Sequence, residues 1–428
     1  MVAPEGYRVS EVGVIPEDWD VKCLGDLFDI TSSKRVFQNE WKDSGVPFLR
    51  ARELAVLGEK GRVENELFIS EEMYERYVAQ YGAVSADDVL ITGVGTLGKV
   101  YVVREKDRFY FKDGNIIWLK SRGLVNPYYL KQLYYTPLLV GQVIGSSAGT
   151  TVGTYTITSA KETIIPYPEL REQTAIAQAL SNADALSASL ERLIAKKRHV
   201  KQGAMQELLT GKTRLPGFCG EWQIVNLADN SFLKARIGWQ GLTKAEYLNS
   251  GYAYLVTGTD FCDGVIDFSG CAHVNKSRYD QDEHIQIKDG DILVTKDGTI
   301  GKVAMVKRLH KKATLNSGIF VVRPLTDKSY HGPFVYHVLC SQVFTDFLNK
   351  LSAGSTIEHL YEKDFTGFEF AVPPAIDEQI AIAGILSDMD DEVEQLQKKL
   401  KKCKHIKHGM MQELLTGRIR LPQEGTKE

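Results

Sequence analysis

Residues 205–216 read Met-Gln-Glu-Leu-Leu-Thr-Gly-Lys-Thr-Arg-Leu-Pro, and residues 411–422 read Met-Gln-Glu-Leu-Leu-Thr-Gly-Arg-Ile-Arg-Leu-Pro. Ten of the twelve positions are identical at an offset of 206, close to half of the 428-residue chain. Each copy closes a long stretch of helix-like composition. Gly211 and Gly417 stand where a helix C-cap glycine belongs.

The repeat runs far upstream. Pro168, Glu172, Gln173, Ala175, Ile176, Ala177, Leu180, Ser181 and Asp184 recur as Pro374, Glu378, Gln379, Ala381, Ile382, Ala383, Leu386, Ser387 and Asp390. Asp88-Val-Leu-Ile-Thr with Gly95-Thr-Leu-Gly98-Lys99-Val recurs as Asp291-Ile-Leu-Val-Thr with Gly298-Thr-Ile-Gly301-Lys302-Val. Ser147-Ala-Gly-Thr-Thr151 pairs with Ser352-Ala-Gly-Ser-Thr356, and Trp19 with Trp222. The chain is therefore unit, helix, unit, helix, and a period this long is a duplicated domain.

Composition is that of a globular protein, with 43% hydrophobic and 25% charged residues. No signal peptide or membrane-spanning run is read, and six cysteines without Cys-x-x-Cys spacing point to free thiols in the cytoplasm. The net charge of −3 and pI near 6.3 do not by themselves announce a nucleic-acid partner.

In chain order, Leu24–Ile30, Pro47–Arg50, Asp88–Thr92, Val100–Arg104 and Asn115–Lys120 read as strands. Ser70–Tyr77 carries a helix start with Glu71 and Glu72, and Asn126-Pro127 opens another helix of about ten residues. A Gly/Ser/Thr loop follows over 145–156. Strands and short helices without regular alternation predict an α+β domain.

From about Leu170 the texture changes. Residues 171–209 hold no proline and a single glycine, and apolar positions recur at three- and four-residue spacing. The second copy is clearer: Met389, Val393, Leu396, Leu400, Cys403, Ile406 or Lys407, then Met410, a heptad-like seam. In the first copy the seam is Ala183, Ser187, Leu190 and Ile194. Each helix spans about 60 Å at 1.5 Å per residue, too long to bury its stripe on its own compact domain. Pairing the two helices solves this, and two-fold pseudo-symmetry makes the pair antiparallel. Residues 398–407 hold six lysines and no acid. That run reads either as a solvated helix face or as a contact for phosphates or an acidic partner.

Some motifs invite other readings, and the repeat tests them. Gly93-Val-Gly95-Thr-Leu-Gly98 matches a dinucleotide-binding pattern, and Gly93 through Lys99 nearly matches a phosphate loop. Both require a helix next, whereas Val100-Tyr-Val-Val reads as a strand, and the second copy has Lys296 in place of the first glycine. A tight hairpin presenting a lysine fits both copies. Asn126-Pro127-Tyr128-Tyr129 is close to an amino-methyltransferase element, but the other copy reads Gly332-Pro333-Phe334-Val335, leaving a helix start with an aromatic core contact. His405 and His408 face His199 and Gln202 in the other copy, so they make no shared metal site. No cofactor and no metal are expected.

Each unit carries three short polar loops with bases and small hydroxyls. They are Thr31-Ser-Ser-Lys34-Arg35, Gly95–Lys99 and Ser147–Thr151 in the first, and Lys234-Ala-Arg236, Gly298–Lys302 and Ser352–Thr356 in the second. Lysine and arginine suit phosphates, hydroxyls and amides add positioning contacts, and ordinary turn chemistry favours the same small residues.

The lead-in Gly6-Tyr-Arg…Glu11-Val-Gly-Val-Ile-Pro16-Glu-Asp-Trp19, both Pro-x-x-x-Glu-Gln elements and both Gln-Glu-Leu-Leu-Thr-Gly segments resemble the specificity subunit of type I restriction-modification systems, over nearly the whole chain. The resemblance implies two pseudo-symmetric α+β target-recognition domains separated by two long helices pairing as an antiparallel coiled coil. The domains are expected at 1–168 and 216–373, and the helical regions at 169–215 and 374–428. It further implies that the chain is not catalytic. Each domain would read half of a bipartite double-stranded DNA site. The helices would dock two modification (methyltransferase) subunits that bind S-adenosylmethionine and methylate adenine N6, and restriction subunits would join. Candidate DNA contacts are Lys34, Arg35, Arg50, Thr96, Lys99, Thr150, Thr151, Lys234, Arg236, Thr299, Lys302, Ser355 and Thr356. Candidate partner contacts are Gln206, Leu209, Gln412 and Leu415. The competing reading is a stand-alone DNA methyltransferase or nuclease with fused recognition domains.

Overall fold

The computed structural model describes residues 3–64, 67–146, 153–237, 241–326, 329–352 and 359–422. The chain divides into two compact units, Met1–Glu191 with Lys398–Glu428, and Arg192–Gln397. Each unit is one α+β domain plus half of each long helix.

In the first unit a four-stranded antiparallel sheet runs in the order Asp29–Thr31, Ile116–Lys120, Val89–Thr92, Val100–Val102. Its central strands carry unbroken apolar runs, Val89–Ile91 and Ile116–Leu119, because both faces are covered. Val89, Ile91, Ile117 and Leu119 enter one core, while Leu90, Tyr101, Ile116 and Trp118 enter another. Alternation along a strand sends successive side chains to opposite faces, so two cores need an unbroken apolar run. The second unit repeats the device in a larger, six-stranded sheet ordered Ser231–Ala235, Ile319–Pro324, Ile292–Thr295, Val303–Met305, Val265–Ile266, Phe261–Cys262. There Ile292, Val294, Phe320 and Val322 face one core and Leu293 and Val321 the other.

The long helices are Leu170–Leu208 and Ile376–Leu414. In the first unit Ile176, Ala177 and Leu180, near the start of one, share a core with Leu414 and Leu415 at the end of the other. In the second unit Met205, Leu208 and Leu209 share a core with Ile382, Ala383 and Leu386. Start meets end in both, so the helices pair antiparallel. Each fully buried Leu or Ile contributes about 1.5–3 kcal/mol, which anchors the helix ends. Between them the seam is thin: Ser187, Ile194, Val393 and Cys403 are buried, and Ser187 Oγ lies 3.3 Å from Cys403 Sγ. Ile406 is 51% exposed while Lys407 is half-buried, so the seam passes through the lysine.

Four ion pairs flank the seam. Lys404–Glu191 (2.7 Å) and Lys407–Asp184 (2.6 Å) lie in the first unit, Lys197–Glu392 (2.7 Å) and Lys201–Asp390 (2.5 Å) in the second. Part of the lysine run thus joins helix to helix, a use that neither sequence reading of the run named.

Local elements differ from expectation in places. Leu24–Leu27 is a helical turn, and the strand begins only at Asp29. Leu24, Leu27 and Phe28 all reach the core at helical spacing, and the Leu24 amide donates to Thr163 O. Helices Ala51–Lys60 and Pro137–Gly145 had no counterpart in the reading, although Thr136 and Pro137 form an ordinary helix start. The helices opening at Ser70 and Asn126 are present as Glu71–Tyr81 and Pro127–Leu133, each capped by its side chain. No helix among the described residues is long and apolar enough to cross a membrane.

Candidate nucleic-acid interface

The duplicated Gly-Thr-x-Gly-Lys segments are hairpins with the same internal wiring. Thr92 Oγ accepts the Lys99 amide at 2.9 Å and donates to Thr96 O, while the Gly98 amide donates to Thr92 O. Thr295 Oγ accepts the Lys302 amide at 2.9 Å and donates to Thr299 O at 2.5 Å, with Gly301 bonded to Thr295 O. Gly95, Gly98, Gly298 and Gly301 all sit at φ of 70–78°, where a β-carbon is disfavoured. A strand follows each hairpin, so no helix end is available to cradle a nucleotide.

Sheet register gathers the candidate loops. In the first unit Thr92 ends a strand opposite Ile116 and Thr31 ends a strand opposite Trp118, both running toward the start of Ile116–Lys120, and Val94 bridges to Thr154. The chain after residue 31, the hairpin after residue 92 and Thr154 therefore meet at one end of one sheet. In the second unit Ala235 and Thr295 flank the start of Ile319–Pro324, and Asp297 bridges to His359. The end of the strand that carries Lys234 and Ala235, the hairpin after residue 295 and His359 meet at the same end. Thr150, Thr151, Ser355 and Thr356 lie outside the described residues.

The candidates differ in how free they are. Lys34 and Arg35 are exposed, Lys34 near the Tyr81 ring (5.8 Å) and Arg35 paired with Asp113 at 2.9 Å. Arg50 stands at the N-cap position of the helix that follows it, donates its amide to Glu53 and pairs with that carboxylate at 2.6 Å. Lys99 is held by Glu59 at 2.6 Å, a hydrogen bond that raises its pKa. Lys234 is 3.6 Å from Glu362. Thr96, Thr299 and Lys302 are exposed, and the Lys302 ammonium has no partner among the described residues. Arg236 departs from the expectation of a surface base. It is 1% exposed, and its guanidinium donates to Leu315 O (2.8 Å) and Thr314 Oγ (3.1 Å), tying loop to strand. Burial pushes its pKa down.

The repeated helix ends are clasps. Arg214 grips Glu378 with two 2.7 Å hydrogen bonds, and Arg420 grips Glu172 and Asp18. Trp19 Nε1 donates to Glu172 at 3.0 Å. Gln173 and Gln379 each accept a backbone amide (Asn126, His331) and donate to a carbonyl at the helix start (Pro168, Pro373). The Pro-x-x-x-Glu-Gln element and the Thr-Gly-x-x-Arg segment are therefore two halves of one lock, something spacing alone did not disclose.

Leu209 and Leu415 are each 2% exposed, so they serve the cores. The segment presents Gln206 and Gln412 instead, and each edges a cleft. One, of about 760 Å³, is lined in part by Met205, Gln206, Thr210, Leu339 and Val343. The other, of about 300 Å³, is lined in part by Met411, Gln412, Thr416, Leu133 and Leu138. The two occupy corresponding places in the duplicated units.

Two units with the same hairpin, the same clasp and the same cleft define a duplicated protein. The family model for the type I restriction modification DNA specificity domain matches twice, at residues 16–197 and 221–404. A putative type I restriction enzyme MjaX specificity subunit of Methanocaldococcus jannaschii is 24% identical, covering 97% of both chains. The MjaVIII specificity subunit of the same organism is 22% identical over 95% of this chain and 94% of its own. The crystal structure of a type I restriction-modification S subunit from M. genitalium superposes with a TM-score of 0.61 at 16% identity, covering 96% and 99%. The chain belongs to the family of type I restriction-modification DNA specificity subunits. Members of that family bind DNA, assemble with other subunits and supply specificity rather than catalysis.

Proposed function

We propose that each unit reads one half of a bipartite DNA site through the loops at its sheet end, and that the helix pair sets the spacer between the halves. The observation that carries this is that an outer strand's end, the Gly-Thr-x-Gly-Lys hairpin and a residue bridged to that hairpin converge at the same sheet end in two units whose sheets otherwise differ in size. The readers are residues 1–168 and 216–373, and the helical regions 169–215 and 374–428. Two modification subunits dock on the helical regions, bind S-adenosylmethionine and methylate adenine N6, and restriction subunits complete the assembly in the cytoplasm. The paired clefts edged by Gln206 and Gln412 support two equivalent docking positions. Two linked readers raise each other's effective concentration, so each half-site contact can be weak alone.

The test is methylation mapping. The chain is co-expressed with its modification subunit and the DNA is sequenced for N6-methyladenine. Methylation in two unlike half-sites at a constant spacer is the expected result. A single continuous motif, or no methylation with a folded, cofactor-bound partner, overturns the reading. Inserting four residues in one long helix is expected to change the spacer and leave the half-sites alone.

A further inference from the structure

The two hairpins share a backbone but not a surface. Where the first has Val94 bridged to Thr154, the second has Asp297 bridged to His359. The His359 Nδ1 atom meets the Asp297 carboxylate directly, and the ring rests against Tyr361 at 4.5 Å between centroids. Behind Asp297 lies Gly318, where a β-carbon would come within 3.5 Å of the carboxylate. The imidazole is therefore oriented from two sides. Both side chains still reach solvent, at 30% exposure for His359 and 44% for Asp297.

An ionised carboxylate only accepts hydrogen bonds, so Nδ1 carries the proton and donates. In the neutral ring Nε2 is then an acceptor, and among the described residues it has no partner. An acceptor held at the loop end matches the amines that DNA displays in the major groove, adenine N6 and cytosine N4. A phosphate fits worse, because it would approach the Asp297 charge together with the ring.

We propose that His359 is a specificity-determining residue of the second reader, accepting a hydrogen bond through Nε2 from a base-edge amine of its half-site, with Asp297 as its positioning residue. This rests on the two-reader function above. The first reader, with Val94 and Thr154 in these places, has no such contact, so the two halves are read by different chemistry on a common loop.

The experiment is methylation mapping of wild type, His359→Ala, His359→Gln and Asp297→Asn, each co-expressed with the modification subunit. His359→Ala is expected to relax preference about 10-fold at one base pair, the scale of one lost base-edge contact. The change is confined to one half-site, with the other half and the spacer intact. His359→Gln retains an acceptor and is expected to keep part of the preference, and Asp297→Asn to relax the same base pair more weakly. An unchanged motif in His359→Ala overturns the proposal. So does a uniform loss of methylation at all sequences, which marks a phosphate contact. If His359→Ala does not assemble, His359→Gln decides alone: an unaltered preference, or one lost at several base pairs together, overturns it. A wild-type protein without a two-part motif removes the two-reader function itself, an outcome distinct from the others.

Discussion

The first unit holds the lysine of its hairpin within the protein, on Glu59, whereas the second leaves Lys302 exposed. The clasps diverge in the same manner. Arg420 has two carboxylates, Glu172 and Asp18, and Trp19 adds a hydrogen bond. Arg214 has Glu378 and the Gly220 carbonyl, and the indole N–H of Trp222 is buried without a partner among the described residues. What duplication kept is the backbone device and the lock at the helix ends. What it released is the use each unit makes of the side chains presented there.

The largest difference is expected at the clasp glycines. Both have φ of +69°, but a β-carbon at Gly417 would sit 2.5 Å from the Pro16 ring, against 3.2 Å from Trp222 at Gly211. Gly417→Ala is expected to cost about 3 kcal/mol and Gly211→Ala about 1–2 kcal/mol, from backbone strain plus overpacking. Urea unfolding of the two variants measures this, and a larger loss at Gly211 would break the comparison.

A smaller difference is expected in DNA binding. Lys302→Ala should reduce the slope of log affinity against log salt by about 1, the value of one phosphate contact. Lys99→Ala should reduce it less, because Glu59 already neutralises that charge. Binding titrations across salt concentrations compare them, and equal slopes would mean that Glu59 yields Lys99 to DNA.

The smallest concerns acid. The hydrogen bond from Arg420 holds the Asp18 carboxyl below its ordinary value of 3.8, against a modest opposing effect of burial. A depressed folded value stabilises the fold above 3.8 and loses that contribution as pH falls through the folded value. The second unit has Glu221 at the corresponding place, with no ion pair among the described residues. Asp18→Asn is expected to lower the unfolding midpoint slightly near neutral pH, with a gap from wild type that closes below 3.8.

Much of the architecture was legible in the residues. Repeated segments marked the two units, and three- and four-residue spacing marked both long helices and the seam through Val393 and Cys403. The hairpins were legible because Gly95 and Gly98 need positive φ. Spacing tells where a residue sits but not where its side chain turns. Arg236 therefore looked like a surface base and is buried, and Leu209 and Leu415 looked like docking residues and belong to cores. The clasps and the Asp297–His359 pair join positions up to 402 residues apart in sequence, and only the folded chain brings such partners together. A signal for the latter was present, since Val94 and Thr154 differ from Asp297 and His359 inside an otherwise repeated frame.

The clasp at the start of the first long helix also imposes an order in time. Glu172 leaves the ribosome long before Arg420, and the helix half that completes the first unit begins only at Lys398. At roughly 5–20 residues per second, the chain between Glu172 and Arg420 takes about 12–50 s to make. The second unit, continuous in sequence, is fully synthesised within that interval. The unit made first is thus the last to be closed, and until then the apolar faces of Ile176 and Leu180 wait for Leu414 and Leu415.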